Sequence, residues 1–204
     1  MVQTLLSETR KDSVHVDFYF GPSLNELALV QNVTAAITSQ KYSHVVMQGA
    51  MLSTSHKYNY SQSGAHRLAR ACHRAGSDAI FFTEWPREGI KEAEYIYNVY
   101  RGITDEAGGR IAPVCFAFEH AMRSSSLFAL WDQDGNHAEL QGAYLAACVL
   151  AKTLGGRALP LSWSPKGVSP SVAEKLATVS EAAFQDLIAR EGSMGTLHDV
   201  AFGR

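Results

Sequence analysis

The sequence predicts an α/β fold built on a largely parallel sheet. Strand-like and helix-like segments alternate along the 204 residues, which is the pattern of strand–helix–strand units. The strand-like runs stop at glycine or proline, and the helix-like segments carry apolar residues at helical spacing. A composition of 46% hydrophobic and 19% charged residues is typical of a folded domain with a substantial core. We therefore expect a single domain over residues 1–204.

The first half of the chain contains two clear strand patterns that frame the helices. The short apolar run that begins at His44 favours a buried strand, and Ala79-Ile80-Phe81-Phe82 is the clearest strand of the sequence. Gly76 is placed to end the helix between them. In order, the sequence predicts a helix over 2–9, a strand over 14–20, a helix over 23–40, a strand over 44–48, a polar loop over 49–60, a helix over 61–75 and a strand over 78–83.

The second half is richer in helices. A helix over 138–154 is apolar nearly all round, and small residues such as Gly142 and Ala146 would let its backbone approach its neighbours closely. Pro170 is placed to begin a last amphipathic helix, because proline is favoured in a first helical turn. In order, we expect a helix over 90–103, a strand over 110–114, helices over 116–130 and 138–154, and a surface loop over 157–168 before that last helix.

Composition also restricts the partners and the cellular location. The net charge is −2 and the isoelectric point is near 6.4, so no nucleic acid or anionic membrane is expected as a partner. No apolar run approaches the roughly 20 residues of a membrane span. The first residues lack the features of a signal peptide, and Cys72, Cys115 and Cys148 are typical of buried, reduced thiols. We expect a cytoplasmic protein; a secreted one would follow if an upstream segment is missing.

The stretch Asp134-Gly135-Asn136-His137 is the most informative motif of the chain. An acid and a histidine three residues apart on a short turn can share a hydrogen bond. The carboxylate would then fix the tautomer of the ring and leave the second ring nitrogen to take a proton from a nucleophile. The simpler interpretation is that Asp-Gly forms a common turn and that His137 only begins a helix.

Residues that follow predicted strands are the other candidates. In open α/β sheets, ligands bind at the carboxyl ends of the strands. Ser23 follows the first predicted strand, Gln48 the second, and Glu84 and Trp85 the third. Each has a structural alternative: Ser23 with Glu26 forms a capping box, Gln48 is a satisfied polar residue, and Trp85 packs in the core.

These residues resemble a known family. The strand, the Asp-Gly-x-His turn and the helix with Gly-Ala-Tyr-Leu-Ala-Ala-Cys at 142–148 are similar to the last block of the SGNH/GDSL hydrolases, and most similar to the bacterial branch related to carbohydrate esterases. Residues 45–48, 82–85 and 112–114 resemble the strands of that family in order. The resemblance covers about 14–156 and leaves 157–204 as a loop and a C-terminal helix. It implies a three-layer α/β/α sandwich of flavodoxin-like type with a mostly parallel sheet.

The resemblance also implies roles for individual residues. His137 would be the general base, and Asp134 would orient it. Gln48 would stand where many relatives use an asparagine to hold the oxyanion, and Gly21 would offer a backbone N–H to the same oxygen. One such donor typically lowers the barrier by about 3 kcal/mol. Trp85 would serve as a stacking platform for a sugar ring.

The nucleophile has two interpretations. In the first, Gly21-Pro22-Ser23 is the nucleophile block, with proline where the family has aspartate, but the chain up to Gly49 then lacks room for the next strand of the family. In the second, residues 14–24 are the family's second strand and the first is absent, through a mis-assigned start codon, a truncated gene or a loss of activity. That first strand lies inside the family's sheet, so its absence would leave backbone groups unpaired. Ser23 is the best nucleophile candidate under either interpretation.

Two functions remain as expectations. The first is a serine-dependent ester hydrolase that uses neither metal nor cofactor and acts on a small-molecule acyl ester, such as an acetylated carbohydrate. The second is a non-catalytic or N-terminally truncated relative that binds a small ligand without hydrolysing it. An open sheet edge would also allow a homo-oligomer.

Overall fold

Three short strands form one parallel sheet in the order β1–β2–β3. They are β1 His44–Met47, β2 Asp78–Phe82 and β3 Arg110–Ala112. The register pairs Val46 with Ile80 and Phe81 with Ile111. The computed structural model describes residues 1–10, 13–124, 128–156 and 163–193. The predicted α/β class with a parallel sheet is confirmed.

Most helices lie close to their predicted positions, but the helix predicted over 116–130 is Val114–Ser124 in the structure, and residues 128–130 are neither helix nor strand. Gly76 ends the helix after β1 in the left-handed conformation at φ 74°, as its sequence position predicts. In order, the helices of the described ranges are α1 Val2–Arg10, α2 Leu24–Leu27, α3 Gln31–Thr38, α4 Ser63–Ala75, α5 Ala93–Ala107, α6 Val114–Ser124, α7 Leu140–Gly155 and α8 Pro170–Ser193.

The chain groups into two units, each assembled from separate stretches of sequence. We call Val16–Trp85 with Lys91–Cys115 the sheet unit, because it contains all three strands. We call Met1–His15, Pro86–Ile90 and Phe116–Arg204 the helical unit. Neither unit is a continuous segment of the sequence.

The core of the sheet unit lies around β2, which is buried from its second residue onward. Helix α4 contributes Leu68 and Cys72 to this core, and α5 contributes Tyr100 and Ile103; all four side chains are buried. Burying apolar side chains of this size stabilises a fold by about 1.5–3 kcal/mol each. The residues that directly follow β1 and β2 are therefore anchored to this buried core.

The core of the helical unit lies around α7, which packs against α1 and α8. Gly142 is the point of closest approach: a Cβ there would lie 2.1 Å from the carbonyl oxygen of Leu130. Glu139 precedes the helix and accepts the N–H of Leu140 at 3.0 Å. The turn that carries His137 thus leads directly into the most buried helix of this unit.

The predicted strand over 14–20 is wrong, because this segment is neither helix nor strand in the structure. The rings of Phe18 and Phe20 are 73% and 90% exposed and stack on each other at 6.3 Å. Alternating apolar residues form a strand only where a neighbouring strand pairs with the backbone. Among the described residues, β1 is paired with β2 alone and this segment with neither.

The predicted helix over 23–40 is two helices. The N–H groups of Leu29 and Val30 bond to carbonyls three residues back, on Glu26 and Leu27, which tightens and ends α2. Val30 then adopts an extended conformation at φ −82° and ψ 115° before α3 begins. Of the predicted loop over 157–168, residues 157–162 lie outside the described residues.

The contact between α2 and α4 depends on Gly64. A Cβ at Gly64 would lie 2.3 Å from Cα of Asn25, whereas Gly102, in the middle of α5, has open space around it. We expect Gly64→Ala to lower the free energy of unfolding by about 1–3 kcal/mol, because backbone atoms must move apart. Gly102→Ala should raise it by about 0.5–1 kcal/mol through helix propensity.

Urea unfolding followed by circular dichroism measures both changes. Equal stability of the two variants would contradict the assigned contact.

Candidate active site

A tight turn brings Asp134 and His137 together. Oδ1 of Asp134 accepts the backbone N–H groups of Asn136 at 2.8 Å and His137 at 2.9 Å. Oδ2 of Asp134 accepts a hydrogen bond from Nδ1 of His137. Gly135 takes φ 67°, a left-handed conformation that glycine adopts without strain. The hydrogen bond that the spacing of the motif predicts is therefore present.

The turn shifts the pKa of both side chains in opposite directions. The hydrogen bond that the His137 ring donates to Asp134 raises the pKa of His137; this bond and those from backbone N–H groups lower the pKa of Asp134 to about 2. With Nδ1 as the donor, Nε2 of the neutral ring keeps its lone pair as an acceptor. The His137 side chain is 77% exposed. Chemically, the pair can accept a proton from a group that reaches it from solvent.

The same hairpin borders a shallow cleft in the helical unit. Trp131 pairs with Ala138 across the hairpin, and the Nε1–H of Trp131 donates to the carbonyl of Pro86 at 2.8 Å. Glu88 donates its backbone N–H to the carbonyl of Gly135 at 2.8 Å. The cleft, of about 270 Å³, is lined by Glu88, Gly89, Met122, Phe128, Ala129, Leu130 and Trp131. The residues that support the turn thus also line this cleft.

Ser23 lies in the sheet unit, at the N-terminus of α2. It is 6% exposed, and its Oγ accepts the backbone N–H of Glu26 at 3.3 Å, as the capping interpretation of the sequence predicts. Leu24 donates its N–H to the carbonyl of Gly49 at 3.0 Å, which holds Ser23 against the end of β1. The Ser23 hydroxyl accepts in the cap, so its own hydrogen remains available for donation.

Gln48 and Gly49 follow β1 beside Ser23. A Cβ at Gly49 would lie 3.7 Å from Cα of Ser23, and Gly49 takes φ 100°, which excludes most other residues. The Gln48 side chain is exposed. The N–H of Gly49 donates to Oε1 of Glu84 at 3.0 Å. The sheet unit thus gathers Ser23, the end of β1 and Glu84 at the carboxyl edge of the sheet, where parallel sheets bind ligands.

Glu84 was predicted from the sequence to follow a strand, but no role was assigned to it. Its Oε2 is shielded from solvent and has no hydrogen-bond partner among the described residues. Burial raises the pKa of Glu84 to about 7, although hydrogen bonds from Tyr100 and from backbone N–H groups offset part of the rise. The Tyr100 hydroxyl also accepts the N–H of Ala50 at 3.3 Å. Sequence analysis assigned Tyr100 no role.

The two remaining candidates also lie in the sheet unit. Gly21 is exposed, and a Cβ there would meet the side chain of Leu27 at 2.8 Å. Trp85 is half-buried and places its ring edge-on to Phe82 at 6.4 Å. Their assigned roles, like those of Ser23 and Gln48, remain predictions.

The described residues offer no preformed metal centre. Within the ranges that the structure describes, no group of three or more His, Cys, Asp or Glu residues could hold a metal ion. In the same ranges, no helix has both the length and the apolar character needed to cross a membrane.

Comparison with known proteins shows the fold. No protein-family model and no curated protein matches the sequence. Two solved structures do match. One is a DUF4886 family protein from Bacteroides uniformis, with a TM-score of 0.58 and 19% sequence identity over 75% of this chain. The other is a provisional SGNH hydrolase from Slackia heliotrinireducens, with a TM-score of 0.54 and 23% sequence identity over 76% of this chain. This chain spans 66% of the first protein, just under two thirds, and 91% of the second. The chain has an α/β fold like that of the SGNH hydrolases.

The paired turn generates a prediction about His137. In Asp134→Asn, the pKa of His137 should fall towards its ordinary value, because the carboxylate that stabilises the imidazolium is gone. Asp132→Asn, which removes a charge with a smaller effect on His137, should lower it much less. NMR titration of the ring protons measures both shifts. Equal shifts in the two variants would contradict the assigned hydrogen bond.

Glu84 generates a prediction about stability. Its pKa in the folded chain, about 7, lies above the ordinary value of 4.5. Between these pH values the folded chain binds more protons than the unfolded chain, so the folded state loses stability as the pH rises from 4.5 to 7. Glu84→Gln removes this loss and should be more stable than the wild type at pH 8 by about 1–3 kcal/mol.

Urea unfolding between pH 4 and pH 8 tests this prediction. Glu119→Gln, which removes a carboxylate bonded to Arg123, serves as the control and should keep the wild-type slope. A wild-type slope in Glu84→Gln would contradict the raised pKa of Glu84.

Proposed function

We propose that this chain is a serine-dependent ester hydrolase of SGNH type. The observation that carries the proposal is the hydrogen-bonded Asp134–His137 pair, which directly precedes α7 in a chain with an SGNH-like fold. A carboxylate on Nδ1 with Nε2 left as an acceptor is the arrangement that a hydrolase base requires. The proposal includes a small-molecule ester as substrate and a cytoplasmic location.

In the proposed reaction, the Ser23 oxygen attacks the carbonyl carbon of the ester while Nε2 of His137 takes the hydroxyl proton. The carbonyl oxygen becomes an oxyanion, which the Gln48 amide and the N–H of Gly21 stabilise. The oxyanion collapses, and His137 returns the proton to the departing alcohol. Water then repeats the sequence on the acyl-serine, with His137 again as the base.

The proposed substrate is a small acyl ester, with an acetylated carbohydrate as the specific candidate. Trp85, at the end of β2, would stack on the sugar ring. The proposed reaction uses only side chains and backbone N–H groups of the chain itself, so it requires neither a metal nor an organic cofactor.

One observation favours a second candidate, a protein that binds a small ligand without hydrolysing it. Ser23 is buried and its Oγ is engaged as a helix cap, so capping alone accounts for the residue. Under this alternative, the SGNH-like fold retains a binding site but no nucleophile.

Hydrolysis of p-nitrophenyl acetate separates the two functions. We expect Ser23→Ala and His137→Ala each to lower kcat/KM by about 10³-fold or more, since both residues act in the same step. His120→Ala is the matched control: its Nε2 bonds Asp186 at 2.8 Å in the helical unit, and its loss should change the rate less than about threefold.

Purified wild type without turnover would favour the binding protein. Turnover that survives Ser23→Ala but not His137→Ala would assign the nucleophile to another residue.

A further inference from the structure

The loop that follows β1 is held by side chains at successive positions. Met51 exchanges two hydrogen bonds with the Gln62 side chain, at 3.1 and 2.7 Å. Ser53 is buried and donates its N–H to the Tyr95 hydroxyl at 2.7 Å. Its Oγ accepts the N–H of Tyr58 at 3.3 Å. These contacts lie within the sheet unit and hold the loop backbone against α5 and against the residue that precedes α4. The backbone positions from which the loop side chains extend are therefore fixed.

His56, at the centre of this loop, has an unfavourable backbone conformation. Its φ is 57°, in the left-handed region that glycine adopts most readily. Its N–H donates to the carbonyl of Ser53 at 3.0 Å and closes the turn. A side chain at such a position costs stability that glycine would not, and residues of this kind are concentrated at functional sites. The unfavourable backbone conformation therefore suggests that the His56 side chain has a function.

The His56 ring is oriented from two sides. Nε2 lies 3.0 Å from Oε2 of Glu92, and the ring stacks on Tyr95 at a centroid distance of 4.3 Å and an interplanar angle of 25°. The Glu92 side chain is only 7% exposed, whereas that of His56 is 33% exposed. Glu92 precedes the first residue of α5, where the helix dipole stabilises a carboxylate.

This orientation fixes the tautomer of His56. Because the carboxylate can only accept, Nε2 carries the proton and Nδ1 of the neutral ring keeps a lone pair. Within the described residues, Nδ1 has no hydrogen-bond partner. In the neutral ring, Nδ1 is therefore an oriented acceptor, which fits a ligand that donates a hydrogen bond, such as a hydroxyl group.

The loop also exposes two aromatic rings close to His56 in sequence. Tyr58 is 63% exposed and Tyr60 is 46% exposed, two and four residues after the histidine. Aromatic rings with a polar edge bind the apolar faces of sugar rings, while neutral acceptors bind the sugar hydroxyls. An oriented acceptor and exposed tyrosines on one anchored loop are the groups that carbohydrate recognition uses.

We propose that His56, Glu92 and the exposed tyrosines of this loop form a carbohydrate-binding site in which Nδ1 of His56 accepts a sugar hydroxyl. Glu92 is a positioning residue that holds the ring and its tautomer. The site requires no ester and no hydrolysis, and it does not involve Ser23, Asp134 or His137. It therefore stands whether or not the chain is an esterase.

Titration with unacetylated sugars, followed by NMR of the histidine and tyrosine rings, tests the site without hydrolysis. The probes are methyl β-glucoside, methyl β-xyloside and N-acetylglucosamine. We expect saturable shifts of the His56 and Tyr58 signals with at least one probe, and at least tenfold weaker binding in His56→Gln and Glu92→Gln. His66→Gln is the matched control: His66 lies 3.4 Å from the exposed Glu106 in the same unit, and its loss should leave binding unchanged.

A variant that keeps the backbone tests the structural alternative. Glycine tolerates φ 57°, so His56→Gly should unfold at a temperature close to that of the wild type while it loses sugar binding. Marked destabilisation of His56→Gly would show that the ring is a strut of the loop and would overturn the proposal. So would the absence of ring shifts with all three sugars in the folded wild type.

Discussion

The backbone of Gly49 is bonded on both sides, and the carboxyl edge of the sheet depends on these two hydrogen bonds. Its N–H donates to Glu84, which follows β2, and its carbonyl accepts the N–H of Leu24 at the start of α2. The end of β1 is thereby joined both to the neighbouring strand and to the helix that Ser23 caps. A side chain at this position would have to adopt φ 100°. Glycine is therefore favoured at the position that joins the end of β1 to Glu84 and to the start of α2.

Local patterns predicted most of the fold, and the wrong strand prediction occurred where structure depends on distant partners. The helix that ends at Gly76 and the strand at Asp78–Phe82 were predictable, because cap, periodicity and burial all act over a few residues. The segment 14–20 has the alternation of a strand, but a strand also needs hydrogen-bonding neighbours, which one sequence does not reveal. The break between α2 and α3 was missed for a different, local reason: it rests on two tightened turns and not on a glycine or proline.

The candidate sites differ in the same way. Asp134 and His137 are three residues apart, so the sequence alone was sufficient to predict their hydrogen bond. His56 and Glu92 are 36 residues apart, and nothing in the sequence around His56 indicates a carboxylate partner. Glu84 was recognised as a strand-end residue, but its raised pKa is caused by burial, which follows only from the packing of α5 over the sheet edge.

The two histidine–carboxylate pairs are suited to different tasks because their carboxylates differ in exposure. The Asp134 side chain is 47% exposed, so water screens its charge and the ring of His137 can gain or lose a proton without a large cost of burial. The Glu92 side chain is 7% exposed, and its Oε2 lies 3.0 Å from Nε2 of His56. A screened pair favours a ring that changes its protonation state during a reaction. A buried pair favours a ring that keeps one tautomer and one orientation, which is what recognition of a hydroxyl group requires.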